Sequence, residues 1–280
     1  CTWHEDWQRL VADSRVEAVI AAVPPGLHLA VARCCAAEGK PLLLEKPLAV
    51  SAAEAEEIVE LFSGRRLPLT IGQTLRYNTV VRRLRELLPT IGDLRSFSAS
   101  QRLEPSPLAW HDDPARAGAG VTFHTAVHVF DALRFITGLE VTRVVAAARR
   151  VHMRNLEDTL AVLVEMDGGV TGTIDCSKVS RARSGRFEFI GAEGQLHGEQ
   201  VHNRLERLQG AEIAAVDTGG PVSTIVPLLT DWLGYLIGRG ANPVPGREGL
   251  QAVRCCEACL RSAEEGTWTE LSPRSSPAPP

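Results

Sequence analysis

The first ninety residues alternate short apolar runs with amphipathic stretches, a pattern that restricts the chain to strand–helix–strand units in a parallel sheet. Val16 to Val23 is nearly unbroken in its apolarity, as a strand buried on both faces requires, and Pro24-Pro25-Gly26 closes it. A helix is expected from about Leu27 to Ala37, ended by Gly39. Leu42-Leu43-Leu44 forms the next strand, with Glu45-Lys46-Pro47 at its carboxyl end. Ser51 and Glu54 have capping-box spacing, so a second helix starts there. Leu67 to Ile71 reads as a third strand. Residues 78 to 88 read as a helix with Val80, Val81, Leu84, Leu87 and Leu88 on one face and its arginines solvated. A further helix is centred on Trp7 to Val11.

After Gly92 the period changes to two. Val170, Gly172, Ile174 and Cys176 alternate with Thr171, Thr173, Asp175 and Ser177, the mark of a sheet with one apolar face. Asp158 to Met166 pairs with it across the hairpin turn Asp167-Gly168-Gly169. Arg186 to Ile190 and Arg204 to Leu208 read as further strands, a helix from about Val121 to Ile136 interrupts them, and Leu250 to Ala263 has a helical pattern. The fold class is thus α/β plus α+β: a parallel unit over residues 1–90, an open, mostly antiparallel sheet domain over 91–271, and a Ser/Pro-rich disordered tail over 272–280. An open sheet with an apolar face to cover implies a homodimer or homotetramer.

Composition removes several classes of function. The formal charge of −4, with Lys and Arg dispersed, gives no footprint for nucleic acid. No apolar run reaches the roughly 18 residues that span a bilayer, and no secretory signal pattern opens the chain, so a cytoplasmic protein is expected. The chain starts at Cys1 rather than Met, and its natural amino terminus is expected to lie upstream. Seven cysteines, two pairs of them adjacent, do not form a disulfide framework and read as reduced thiols. Cys256 and Cys259 have CxxC spacing without a second pair, so they read as buried helix residues rather than metal ligands.

Ligands of parallel sheets bind outside the carboxyl ends of the strands, where helix N-termini and short loops converge. Three segments fall there: Pro24-Pro25-Gly26-Leu27-His28, Glu45-Lys46-Pro47, and Gly72-Gln73-Thr74-Leu75-Arg76-Tyr77. Taken with Gly39-Lys40-Pro41, Trp110, Gly118-Ala119-Gly120, His128, Asp131 and the Gly246 to Gly249 helix start, this ordered set resembles the glucose-fructose oxidoreductase and inositol dehydrogenase family (Gfo/Idh/MocA).

The resemblance implies a Rossmann-type nucleotide unit, an NAD or NADP cofactor, and hydride transfer to or from a hydroxyl of a sugar, polyol or sugar derivative as the small-molecule substrate. It implies that Lys46 binds the hydroxyl, that Pro47 follows a cis peptide bond, and that His128 is the proton-transfer histidine, its ordinary pKa near 6.5 suiting that task. Pro24, Pro25, His28, Glu45, Lys46, Pro47 and Trp110 are implied along the cofactor, with Arg76, Tyr77 and His124 toward the substrate and His124 also in the catalytic set with Lys46 and His128.

Three departures stand out. His124 replaces an Asp common in relatives, which removes a negative charge near His128 and is expected to lower its kinetic pKa. His111 follows Trp110 where relatives often carry Arg. The GxGxxG phosphate-binding turn is missing, so the Rossmann unit is partial and weak NAD(H) binding is expected of these 280 residues. Two other readings compete: a non-catalytic binding or scaffold protein, and a metal-dependent hydrolase in which His124 and His128, four apart on one helix face, are joined by Asp131 or His111. The second lacks the Glu of HExxH and leaves Glu45-Lys46-Pro47 without a role, so no metal is expected.

Overall fold

Three of the apolar runs become adjacent parallel strands: β1 (Val19–Ala21), β2 (Leu42–Leu44) and β3 (Leu69–Ile71), in that order. β2 is buried along its whole length, which is why its sequence shows no polar alternation. Around them lie α1 (Trp7–Ala12), α2 (His28–Ala37) and α3 (Ala52–Gly64), the last begun by Ser51, whose Oγ accepts from the Glu54 N–H at 3.2 Å. Asn78 caps α4 (Thr79–Leu87) by accepting from Val80 and Val81. This computed structural model describes residues 2–271, so the tail expected over 272–280 lies outside the described residues.

The second sheet has nine strands: β4 (Leu94–Arg102), β5 (Val141–Arg149), β6 (Thr159–Met166), β7 (Val170–Ser177), β8 (Ser184–Gly191), β9 (Gln195–Glu199), β10 (Arg204–Gln209), β11 (Glu212–Ala215) and β12 (Thr269–Glu270). Gly168 and Gly169, both at positive φ, make the β6–β7 turn as its sequence requires. β4 runs parallel to β7, and every other pairing in the sheet is antiparallel. The remaining helices are α5 (Pro114–Ala117), α6 (Val127–Thr137), α7 (Ile225–Leu236) and α8 (Gly246–Glu265). Among the described residues, no helix is long and apolar enough to cross a membrane.

The chain's own α4, α6 and α8 pack against this sheet. Its other face carries Val145, Ala147, Ala161 and Leu163 beside Thr171 and Thr173, with Val145 paired to Leu163 across β5 and β6. The chain returns to β3 from residues 242–244: the Ile71 N–H donates to Val244 at 3.0 Å, and Asn242 donates to the Leu69 carbonyl at 2.7 Å. The helix expected from Val121 starts instead with a π-type turn, Thr122–Ala126, ahead of α6.

The six cysteines among the described residues are free thiols, and Cys256 and Cys259 sit fully buried in α8. Cys256 Sγ donates to the Thr122 carbonyl at 3.3 Å, and burial holds both thiols well above their usual range.

A buried ion network ties the units together. Arg76, just past β3, donates through Nε and Nη2 to both oxygens of Asp131 on α6, at 2.8 and 2.7 Å, and reaches Glu248 on α8 at 3.1 Å. Arg134 joins Glu248 at 3.1 Å and Glu140 at 2.6 Å. Bidentate geometry offsets the desolvation of a carboxylate that is fully buried. Asp131→Ala leaves the guanidinium with one carboxylate of its two and is expected to cost about 3 to 5 kcal/mol in urea unfolding. A loss below about 1 kcal/mol would show the pair to be dispensable.

Candidate active site

Glu45 continues the sheet past β2, its N–H donating to Ala21 at 3.0 Å, and the Gly72 N–H donates to Leu44 at 2.8 Å. Gly72 leaves room for the Glu45 carboxylate, whose atoms would lie 3.2 to 3.3 Å from a Cβ there. That carboxylate accepts the Lys46 N–H at 3.2 Å. The Lys46–Pro47 peptide is cis, as the family resemblance implies.

His28 does not face this turn as an open ligand. It is fully buried, with Nε2 3.0 Å from the Val23 carbonyl and Nδ1 3.3 Å from that of Leu48. The ring joins the loop after β1 to the segment after the cis-proline. Burial pulls its pKa down, and the carbonyls of Val23, Leu48 and Pro47 oppose.

Lys46 crosses to the second unit, where Nζ donates to the His124 carbonyl at 3.0 Å. Burial pulls its pKa down to about 8, with Glu45 opposing and Lys178 reinforcing. One turn further on, His128 Nδ1 lies 3.0 Å from Oε1 of Gln73, a fully buried residue that directly follows Gly72. Oε1 can only accept, so Nδ1 carries the proton and Nε2 presents a lone pair. Burial, then Lys46, hold the His128 pKa well below its ordinary value. His124 is not among these causes.

His124 and His128 face different partners despite their spacing. Nδ1 of His124 lies 3.4 Å from Lys178 Nζ, and the His124 ring lies 3.8 Å, centre to centre, from that of His111. His111 Nδ1 is 3.5 Å from the same ammonium, and Trp110 packs edge-on against His111 at 4.0 Å. Burial first, and the two lysines after it, push His124 down to about 2 and His111 to about 4, so both rings are neutral at physiological pH. No group of three metal-ligating side chains occurs among the described residues, and Asp131, weighed as a third ligand, is committed to Arg76.

Arg76 and Tyr77 do not join the cluster. Arg76 holds the ion network, and the Tyr77 hydroxyl donates to Asp231 at 2.7 Å. Gln73, from the third strand-end segment, does join, as does Lys178, while Glu157 and Asp158 frame the site. Glu157 accepts from the N–H groups of Gly120 and Thr122, at 3.1 and 2.9 Å, where the helix with both histidines begins. Asp158 gathers the N–H groups of Val151, His152 and Met153 within 2.9 Å.

Residues 2–73 match the family described as oxidoreductase family, NAD-binding Rossmann fold, and residues 81–197 match the GFO/IDH/MocA C-terminal domain. Inositol 2-dehydrogenase 1 of Saccharopolyspora erythraea is 31% identical over 99% of this chain and 83% of its own length. D-Apiose dehydrogenase of Paraburkholderia graminis is 25% identical over 99% and 78%. Levoglucosan dehydrogenase in complex with NADH, 19% identical, shares the fold with a TM-score of 0.87 over 96% of this chain and 83% of that one.

Gly120 is the tightest joint of the site. A Cβ there would lie 1.8 Å from the Glu157 carbonyl oxygen and within 2.9 Å of two more of its backbone atoms, none of which can move as a side chain does. Gly120→Ala is expected to lower stability by roughly 3 kcal/mol in chemical denaturation. A change below about 1 kcal/mol would mean that this joint is loose.

Proposed function

The chain belongs to the GFO/IDH/MocA family of NAD(P)-dependent oxidoreductases, and from that premise we propose that Lys46 and His128 handle the hydroxyl and its proton as a sugar, polyol or sugar derivative is oxidised or its ketone reduced. The observation that carries this reading is the convergence of the two units: Lys46, past β2, reaches the His124 carbonyl one turn before His128, whose ring is held by Gln73, past β3.

A nicotinamide fits the strand ends. Glu45 and Pro47 flank the Lys46 turn, and Gln73 Nε2 is a buried donor with no partner among the described residues, which a carboxamide or substrate oxygen would satisfy. We assign Pro24, Pro25, Glu45, Lys46 and Pro47 to the nicotinamide side and Trp110 to the rim, with His28 positioning the turn. No described residue supplies the glycine-rich phosphate cradle. When bound, the nicotinamide supplies the hydride acceptor.

The protein's own residues do the rest. The Lys46 ammonium donates to the substrate oxygen, and His128 Nε2 takes the proton as the carbonyl forms. The imidazolium then keeps its Nδ1–H on Gln73 Oε1. The names of the two relatives, an inositol and an apiose dehydrogenase, support a polyhydroxy substrate. A scaffold protein has no need of these convergent groups, and a metal hydrolase has no third ligand in Asp131.

His128 titrates well below neutrality, so the alcohol-oxidation profile is governed by Lys46, charged below about 8 and neutral above it. The expected kcat/KM is level through neutrality and falls above that pH. A rise through the same range would make the neutral lysine the base. Lys46→Met and His128→Ala are each expected to lower kcat by roughly 100-fold or more, and retention of turnover within about threefold would remove either from the chemistry.

A further inference from the structure

Lys178 stands outside the roles assigned so far, yet it lies at the centre of the second unit's contribution. It directly follows β7 and is only 5% exposed, and its ammonium lies 3.5 Å from His111 Nδ1 and 3.4 Å from His124 Nδ1. Among the described residues neither Lys178 nor Lys46 has a carboxylate within ion-pair distance. The acidic groups nearest in sequence to the framing loop are engaged with backbone: Glu157 with Gly120 and Thr122, Asp158 with Val151, His152 and Met153. Their charge still acts on Lys178 at a distance, against the stronger effect of burial.

The hydrogen-bond inventory is one-sided. An ammonium can only donate, so His111 and His124 accept at Nδ1 and carry their protons on Nε2. The cluster therefore offers two lysine ammoniums and two imidazole N–H groups, against one basic lone pair at His128 Nε2. Two desolvated cations without a counter-ion are costly, and the cost is recovered when a bound anion accepts their hydrogen bonds.

We propose that the cleft takes a polyhydroxy substrate bearing an anionic group, a carboxylate or a phosphate, with Lys178 as the docking cation and the Nε2–H groups of His111 and His124 as auxiliary donors. This rests on the reading above that Lys46 and His128 hold the reacting hydroxyl. It assigns the substrate's charged end to the Lys178 side. It also accounts for two departures together: His124 in place of Asp and His111 in place of Arg leave a site with neutral rings around a fixed ammonium.

Calorimetric titration of the whole chain near pH 7, without cofactor and again with NADH, tests the proposal with D-glucitol, D-gluconate and D-glucitol 6-phosphate as probes. At least one anion is expected to bind roughly tenfold or more tighter than glucitol, about what a charge-assisted hydrogen bond contributes, and the tighter anion identifies the group. Lys178→Met should reduce the preference to about twofold or less and Lys178→Arg should retain it, with Lys178→Gln replacing Met if that variant fails to fold. Equal affinities in the unaltered protein, no measurable binding of either anion, or a preference that survives Lys178→Met would each overturn the proposal. Lys46→Met separates the two readings: turnover that survives it sinks the hydride-transfer assignment, whereas the anion preference is read by binding alone.

Discussion

The bidentate pair between Arg76 and Asp131 sets the geometry on which everything else rests. Arg76 lies three residues beyond Gln73, and Asp131 lies three residues beyond His128, so one buried contact fixes both ends of the Gln73–His128 hydrogen bond. Glu248 extends the lock to α8, which also packs on α3 and β3. Burying a carboxylate completely is tolerable only with a fork of this kind, and the reward is rigidity where two sheets meet. A histidine whose proton must sit on one chosen nitrogen needs such a frame.

A second set of constraints works from the loop at 150–158. Its carboxylates hold backbone N–H groups rather than cations, so they shape the entry to the π-type turn without neutralising the lysines. That turn makes His124 look toward Lys178 while His128 looks toward Gln73. The two rings thus have different partners within one short helical segment, and low dielectric keeps them neutral beside the ammoniums.

Much of this was legible in the sequence. The Glu45-Lys46-Pro47 turn follows from an apolar run ending at Leu44, and His128 from its place in the ordered motif set. Lys178 was legible in principle: it continues the register of Val170, Gly172, Ile174 and Cys176, so a lysine falls where the buried face calls for an apolar residue. Gln73 was hidden behind the more conspicuous Arg76 and Tyr77. The inward turn of His28 and the extra residue in the helical turn at 122–126 have no local sequence signal, because both depend on carbonyls and carboxylates contributed from distant segments. The same holds for the return of Val244 to β3, which a boundary drawn from periodicity alone cannot foresee.

The proposed chemistry requires His128 to be neutral, with its proton held on Nδ1 by Gln73. Nitrogen-15 NMR of the histidine-labelled protein reads protonation and tautomer directly, with His128→Gln identifying the resonance. A neutral Nδ1–H ring is expected for His128 near pH 7, converting to the other tautomer or to a mixture in Gln73→Leu. An imidazolium, or an Nε2–H ring, at that pH in the unaltered protein would contradict it.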